Sequence, residues 1–171
     1  LLACTLAATA WSAPPAAPGK AAAASPRQVP AASFRTIGWD ELLPADWNPG
    51  AGFTGLDIQR LSDADPRATQ MLKRIRQIWD EAPANTRLEG ASVRLAGYVV
   101  PLEQTPAGVS EFLLVPHFGA CIHSPPPPAN QIIHARLKTP VKSLSSMDTV
   151  WLSGALRLQR ADTSMGVSGY A

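Results

Sequence analysis

Apolar positions along the chain follow two periods. From Ser62 to Ala82 the residues Met71, Leu72, Ile75, Ile78 and Trp79 recur at three- and four-residue spacing, which predicts one amphipathic helix. Asp65 is placed to cap it, and Pro66 sits at the first turn, where its missing N–H costs nothing. Lys73, Arg74 and Arg76 lie off the stripe and read as a solvated face. Ahead of the helix, Trp39, Leu42, Leu43 and Trp47 also recur at helical spacing until Pro44 breaks the run. They predict a short helix or turn whose tryptophans dock on the domain rather than stack on carbohydrate.

After Pro83 the period falls to two. Residues 93–100, 112–115, 131–137 and 150–157 are strand candidates separated by Pro, Gly and Ser breaks. Gly97 and Gly154 lie inside two of them, where a curled sheet takes bulges or sharp bends. The predicted fold is therefore mainly β with one or two helices, a small OB-like antiparallel barrel, with an α+β sandwich as the alternative. The chain reaches Ser168-Gly-Tyr-Ala171 in mid-pattern, from which a further strand is expected.

The first residues have another texture. Leu1–Ala10 is apolar and uncharged, which resembles the core of a secretory signal and is far short of the ~20 residues of a membrane span. Ala8-Thr9-Ala10 fits a cleavage site that releases a soluble protein. Leu1-Leu2-Ala3-Cys4 fits a lipobox, in which Cys4 would carry lipid and anchor the chain to an envelope membrane. Both imply a bacterial envelope compartment, the periplasm. Residues 11–33 form an Ala/Pro-rich linker, a composition that cannot bury a core, and residues 34–171 form a single OB-like domain with its helical region at 62–82. A net charge of +2 with interspersed signs carries no nucleic-acid footprint.

Of the two cysteines, Cys4 goes with the leader or its lipid, leaving Cys121 unpaired. A lone thiol in an oxidising compartment is either a small buried hydrophobe or a reactive or metal-binding group. Its neighbours favour neither at once: His117-Phe-Gly-Ala-Cys-Ile-His123 runs into Pro125–Pro128. If residues 117–123 are extended, His117, Gly119, Cys121 and His123 share one face. Thiolate and imidazole around the gap left by Gly119 suit Zn²⁺, with copper as the alternative ion. A polyproline II run would hold that face rigid. The candidate metal ligands are Cys121, His123, Glu103 and His117, with His134 behind them; Asn130 and Gln131 are expected to bond the loop backbone. The same residues admit a thiol-dependent enzyme, in which His123 activates Cys121. They also admit a fold-defining corner or a metal-free module that presents the prolines to a protein partner. Composition leaves open whether the chain is an enzyme, although no nucleotide-binding or hydrolase fingerprint is present.

Gly97-Tyr-Val-Val-Pro-Leu-Glu103 and Glu111–Gln131, the latter containing Gly-Ala-Cys-Ile-His-Ser-Pro-Pro-Pro-Pro-Ala-Asn-Gln, resemble a domain-of-unknown-function family, number 3299, of secreted proteobacterial proteins. Trp39-Asp-Glu-Leu-Leu-Pro44 and the strand around Trp151 extend the resemblance over most of the chain beyond the linker. It implies an envelope protein found beside a MacB-like ABC transporter, in settings linked to zinc, and it implies no activity. His117 departs from the aromatic residue common at its position, so the resemblance assigns it no role. The function expected is a periplasmic metal-binding accessory protein, or a metal-free transporter-accessory scaffold.

Overall fold

The computed structural model describes residues 33–48, 50, 65–122 and 125–171. The expected leader, lipidation site and most of the linker lie outside them. In chain order the elements are strand β1 (Arg35–Thr36), a one-turn helix at Trp39–Leu42, helix α1 (Pro66–Asp80), and strands β2 (Ser92–Thr105), β3 (Gly108–Val115) and β4 (Ile133–Val141). Strands β5 (Thr149–Ala155), β6 (Leu158–Thr163) and β7 (Gly166–Tyr170) follow. None of the helices is long and apolar enough to cross a membrane, among the described residues.

All seven strands form one sheet in the order β1-β2-β3-β4-β7-β6, and β5 pairs separately with β2. The expectation of an antiparallel barrel is corrected here: β1–β2 and β4–β7 run parallel, so the sheet is mixed, and it does not close. The β4–β7 ladder consists of Ile133 opposite Tyr170, which leaves the rest of β4 without a neighbour on that side, among the described residues. Every described strand belongs to this one sheet, with α1 as the one long helix beside it.

β2 organises the fold because, besides the two-residue β1, it serves two longer partners in succession. Its first half, Ser92–Tyr98, pairs with β5, and its second, from Tyr98 to Thr105, pairs with β3. The strand continues through Pro101, one residue beyond the end of the alternating pattern. Val99 donates its N–H to Asp148 on the β5 side. Pro101 aims its nitrogen the same way two residues later, beyond the β2–β5 ladder, where the missing N–H breaks no bond. Alternation along β2 then sends Val93, Leu95 and Val99 into the main core with Phe112, Leu114, Ile133, Ala135 and Tyr170. The opposite face carries Val100, Leu113, Val115, Ala120 and Ile132.

The glycines inside strands are not bulges. The β2–β5 register runs unbroken through Gly97 opposite Val150 and Gly154 opposite Val93; the irregularities of β2 lie between Pro101 and Gln104. Gly97 is needed for close packing: a Cβ there would sit 2.8 Å from Leu114 Cγ and 2.9 Å from Trp39 Cζ2. The Trp39 indole crosses that spot to donate to the Ala96 carbonyl at 2.8 Å, so the tryptophan is a docking residue, as its spacing predicts.

Helix α1 starts as expected, with Asp65 accepting from the Arg67 amide at 2.8 Å and Pro66 in its first turn. Residues 62–64 lie outside the described ones. The apolar stripe is only half-buried, and Leu72 is 64% exposed. Arg76 also departs from the solvated-face reading. It bonds Asp80 at 3.0 Å and the Pro126 carbonyl at 3.3 Å, which ties the helix to the proline run.

Candidate functional site

The connection from β3 to β4, residues 116–132, holds most of the predicted chemistry, and its first part, residues 116–122, is not extended. Ala120 bonds the His117 carbonyl and Ile122 the Gly119 carbonyl, each at 3.3 Å. These are two consecutive turns. Gly119 has φ +81° and Cys121 φ +67°. A non-glycine residue in the left-handed region costs energy that the surroundings must supply. The alternation that would have put His117, Gly119 and Cys121 on one strand face is therefore lost. The source is local: Gly119 can turn the chain, and its amide is drawn to the Met147 sulfur at 3.0 Å. Met147 is itself left-handed, at φ +65°.

Three of the four predicted ligands lie among the described residues, and no metal-ligand group forms around them there. Cys121 is a free, half-buried thiol packed against the outer cluster of Val100, Leu113 and Val115. Burial pushes its pKa up to about 11, against a weaker opposing pull from Arg76, so the thiol is protonated at neutral pH and poorly suited to act as a nucleophile. His117 is exposed in the first turn. Glu103 is exposed on β2, beside the irregularity and opposite Glu111. His123 lies outside the described residues. Among the described residues, no group of three or more His, Cys, Asp or Glu side chains is placed to hold a metal ion.

His134, ranked last in the sequence, is 4% exposed, and its Nε2 lies 2.6 Å from Glu111 Oε1. Its Nδ1 is buried without a partner, among the described residues. Arg136 reaches the same carboxylate oxygen at 3.3 Å. Burial raises the Glu111 pKa, but the bonds from His134 and Arg136 outweigh it and hold the carboxyl below its ordinary value.

What the turns do present is apolar surface. Phe118 is 69% exposed and meets Tyr98 edge-on at 5.8 Å; Ile122 is 42% exposed. Beside them lies a cleft of about 230 Å³ walled by Trp79, Pro116, His117, Pro125, Pro127 and Gln131, among others. The Trp79 indole N–H finds no partner, among the described residues. Pro128 lies in the polyproline II region at φ −57°, ψ 150°.

The end of the segment is clamped as the sequence suggests, but to more distant backbone. Asn130 donates to the Pro83 carbonyl at 3.0 Å and Gln131 to the Trp39 carbonyl at 2.8 Å. The loop is thus held to the helix by Arg76, to β5's approach by Met147, and to the core by Asn130 and Gln131. Sequence reasoning missed Phe118, Ile122 and Trp79 as surface residues, because an apolar side chain in a turn carries no periodic signal for exposure.

Comparison with known families matches residues 39–171 to the model described as "Protein of unknown function (DUF3299)". Among solved structures, the chain is similar to the crystal structure of a DUF3299 family protein (PA4066) from Pseudomonas aeruginosa PAO1. The two are 36% identical with a TM-score of 0.61, over 81% of this chain and 90% of that one. No curated protein matches the chain.

Proposed function

The chain belongs to the DUF3299 family, and from that premise we propose that it is a protein-docking module of the bacterial envelope, accessory to a MacB-like ABC transporter. The observation that carries this reading is the exposed Phe118 and Ile122 on a strained double turn beside the proline- and tryptophan-lined cleft. Exposed aromatic residues next to an apolar pocket are what protein interfaces use as anchors. A rigid loop loses little conformational entropy on binding. The leader-like Leu1–Ala10 supports periplasmic placement, either free or held by lipid on Cys4. We also read the strand path as OB-type: β5 and β6 run on through Leu156, bonded to Ala91, and Arg157, bonded to Ala171, which carries the chain from β2 over to β7.

A photo-crosslinking residue in place of Phe118 is expected to capture the periplasmic domain of the neighbouring transporter in cells. Phe118→Ser with Ile122→Asp should weaken binding of that purified domain about 30-fold, the ~2 kcal/mol of an anchor residue, without moving Tm. Unchanged binding would overturn the docking reading.

A second reading keeps the metal. Cys121 sits at a strained turn, His123 follows it two residues later in the sequence, and a bound Zn²⁺ or Cu⁺ would deprotonate the thiol that burial now keeps neutral. Zinc should then raise Tm in the wild type and not in Cys121→Ser; equal shifts in both would remove this reading.

A further inference from the structure

A second surface lies away from the loop, where the sheet fails to close. Ile133, Ala135 and Arg136 of β4 and Leu152–Ala155 of β5 line one crevice of about 130 Å³, floored by Val93 and Leu95 of β2 and bounded by Leu156 and Ala171. The floor is core: Val93, Leu95, Ile133, Ala135 and Leu156 are each 5% exposed or less. The crevice therefore opens directly on the main hydrophobic cluster. Gly154 adds to the opening, since a Cβ built on it meets nothing within 4 Å.

Both walls are strand edges. β5 pairs with β2 alone, and the β4–β7 ladder stops at Ile133–Tyr170. From His134 to Thr139, β4 thus offers backbone donors and acceptors on its crevice side that no other strand meets, among the described residues. Pro140 ends that edge, because it has no N–H to offer. Six residues of strand span about 20 Å. Alternation along β4 turns Ala135 and Leu137 toward the core and places Arg136 and Lys138 on the outer face, where both are exposed. A further exposed cation, Arg94, lies 4.5 Å over the Trp151 ring near β5.

We infer that this edge accepts an extended segment of a partner protein, about six residues long, with apolar side chains on its inward positions and acidic ones on its outward positions. The backbone edge supplies affinity, as in strand addition. The crevice takes the inward side chains away from water. Lys138, and Arg136 beyond its one bond to Glu111, select the acidic partner through cross-strand charge pairs. The surface is separate from the Phe118 turn, so the two proposals stand or fall independently.

The probe is a blocked eight-residue peptide alternating valine and glutamate, with a valine/lysine peptide as control. Calorimetry with the full chain is expected to give micromolar binding of the glutamate peptide and at least tenfold weaker binding of the lysine one. Hydrogen exchange of amides within residues 134–139 should slow at least tenfold in the complex. Gly154→Val, a substitution that β structure accepts and that half-fills the crevice, should cut affinity at least tenfold while Tm stays within two degrees or so of the wild type. Arg136→Glu with Lys138→Glu should reverse the preference between the two peptides. Binding without protection at 134–139, or undiminished in Gly154→Val, overturns the inference. So does protection of that edge by concentration-dependent self-association in the absence of peptide, which would assign the edge to a second copy of the chain.

Discussion

Tyr170→Ala is expected to cost about 3–5 kcal/mol of stability, the range for removing a buried aromatic side chain, and to leave the domain largely unfolded at 37 °C. Tyr170 is fully buried in the main core. Its hydroxyl donates to the Leu42 carbonyl at 2.6 Å and accepts from the Asn85 amide at 2.6 Å. Asn85 in turn donates to the Glu41 carbonyl at 2.8 Å. The phenol therefore joins β7 to the one-turn helix near the start of the domain and to the segment after α1. Tyr170→Phe retains the ring and strands one buried and one part-buried backbone group, for which about 1–3 kcal/mol is expected. Chemical denaturation of the three proteins separates these terms. Phenylalanine as stable as tyrosine would show that the hydroxyl clamp contributes nothing.

The second large effect is at Gly97. Alanine there brings a methyl group within 3 Å of Leu114 Cγ, Trp39 Cζ2 and the Val115 carbonyl oxygen. The carbonyl is part of the β2–β3 ladder and has little room to move. The side chains of Leu114 and Trp39 must give way, which strains the indole's bond to Ala96. About 1–3 kcal/mol is expected from overpacking, with a further loss if the indole bond goes. Shortening Trp39 to Phe in the Gly97→Ala background should recover part of the loss, since two residues in contact do not act additively. If the double variant is no better than the sum of its parts, the close approach of indole and strand is not what Gly97 serves.

Legibility in the sequence depended on how much each residue's role was local. Asp65 and Pro66 mark the start of α1 because capping is decided within three residues. The first half of β2 follows from alternation, and β3 from the unbroken apolar run Phe112–Val115, which is buried on both faces. β6 and β7 left little trace. Leu-Gln-Arg-Ala-Asp-Thr and Gly-Val-Ser-Gly-Tyr are short and poor in β-branched residues, and pairing alone makes them strands. Openness was illegible for the same reason: whether β4 finds a neighbour beyond Ile133 is decided by residues far along the chain. At the candidate site, residue types near Cys121 suggested a shared strand face. The left-handed backbone of Gly119 and Cys121, which no period records, turned that face into two corners. Asn130 and Gln131 were expected to bond the loop's own backbone, but the carbonyls they chiefly reach, Pro83 and Trp39, lie 47 and 92 residues away.

The clamp made by Tyr170 also bears on the order of events during folding. The bond to Leu42 spans 128 residues, whereas β2–β3 and β6–β7 are local hairpins joined by tight Thr-x-x-Gly turns, in which Thr105 and Thr163 each bond the glycine carbonyl. Contacts that close long loops form late, because their chain entropy must be lost before they are made. The hairpins are therefore the natural nucleus. The phenol then acts as a latch on the finished domain, setting how slowly the domain opens and not how fast it assembles.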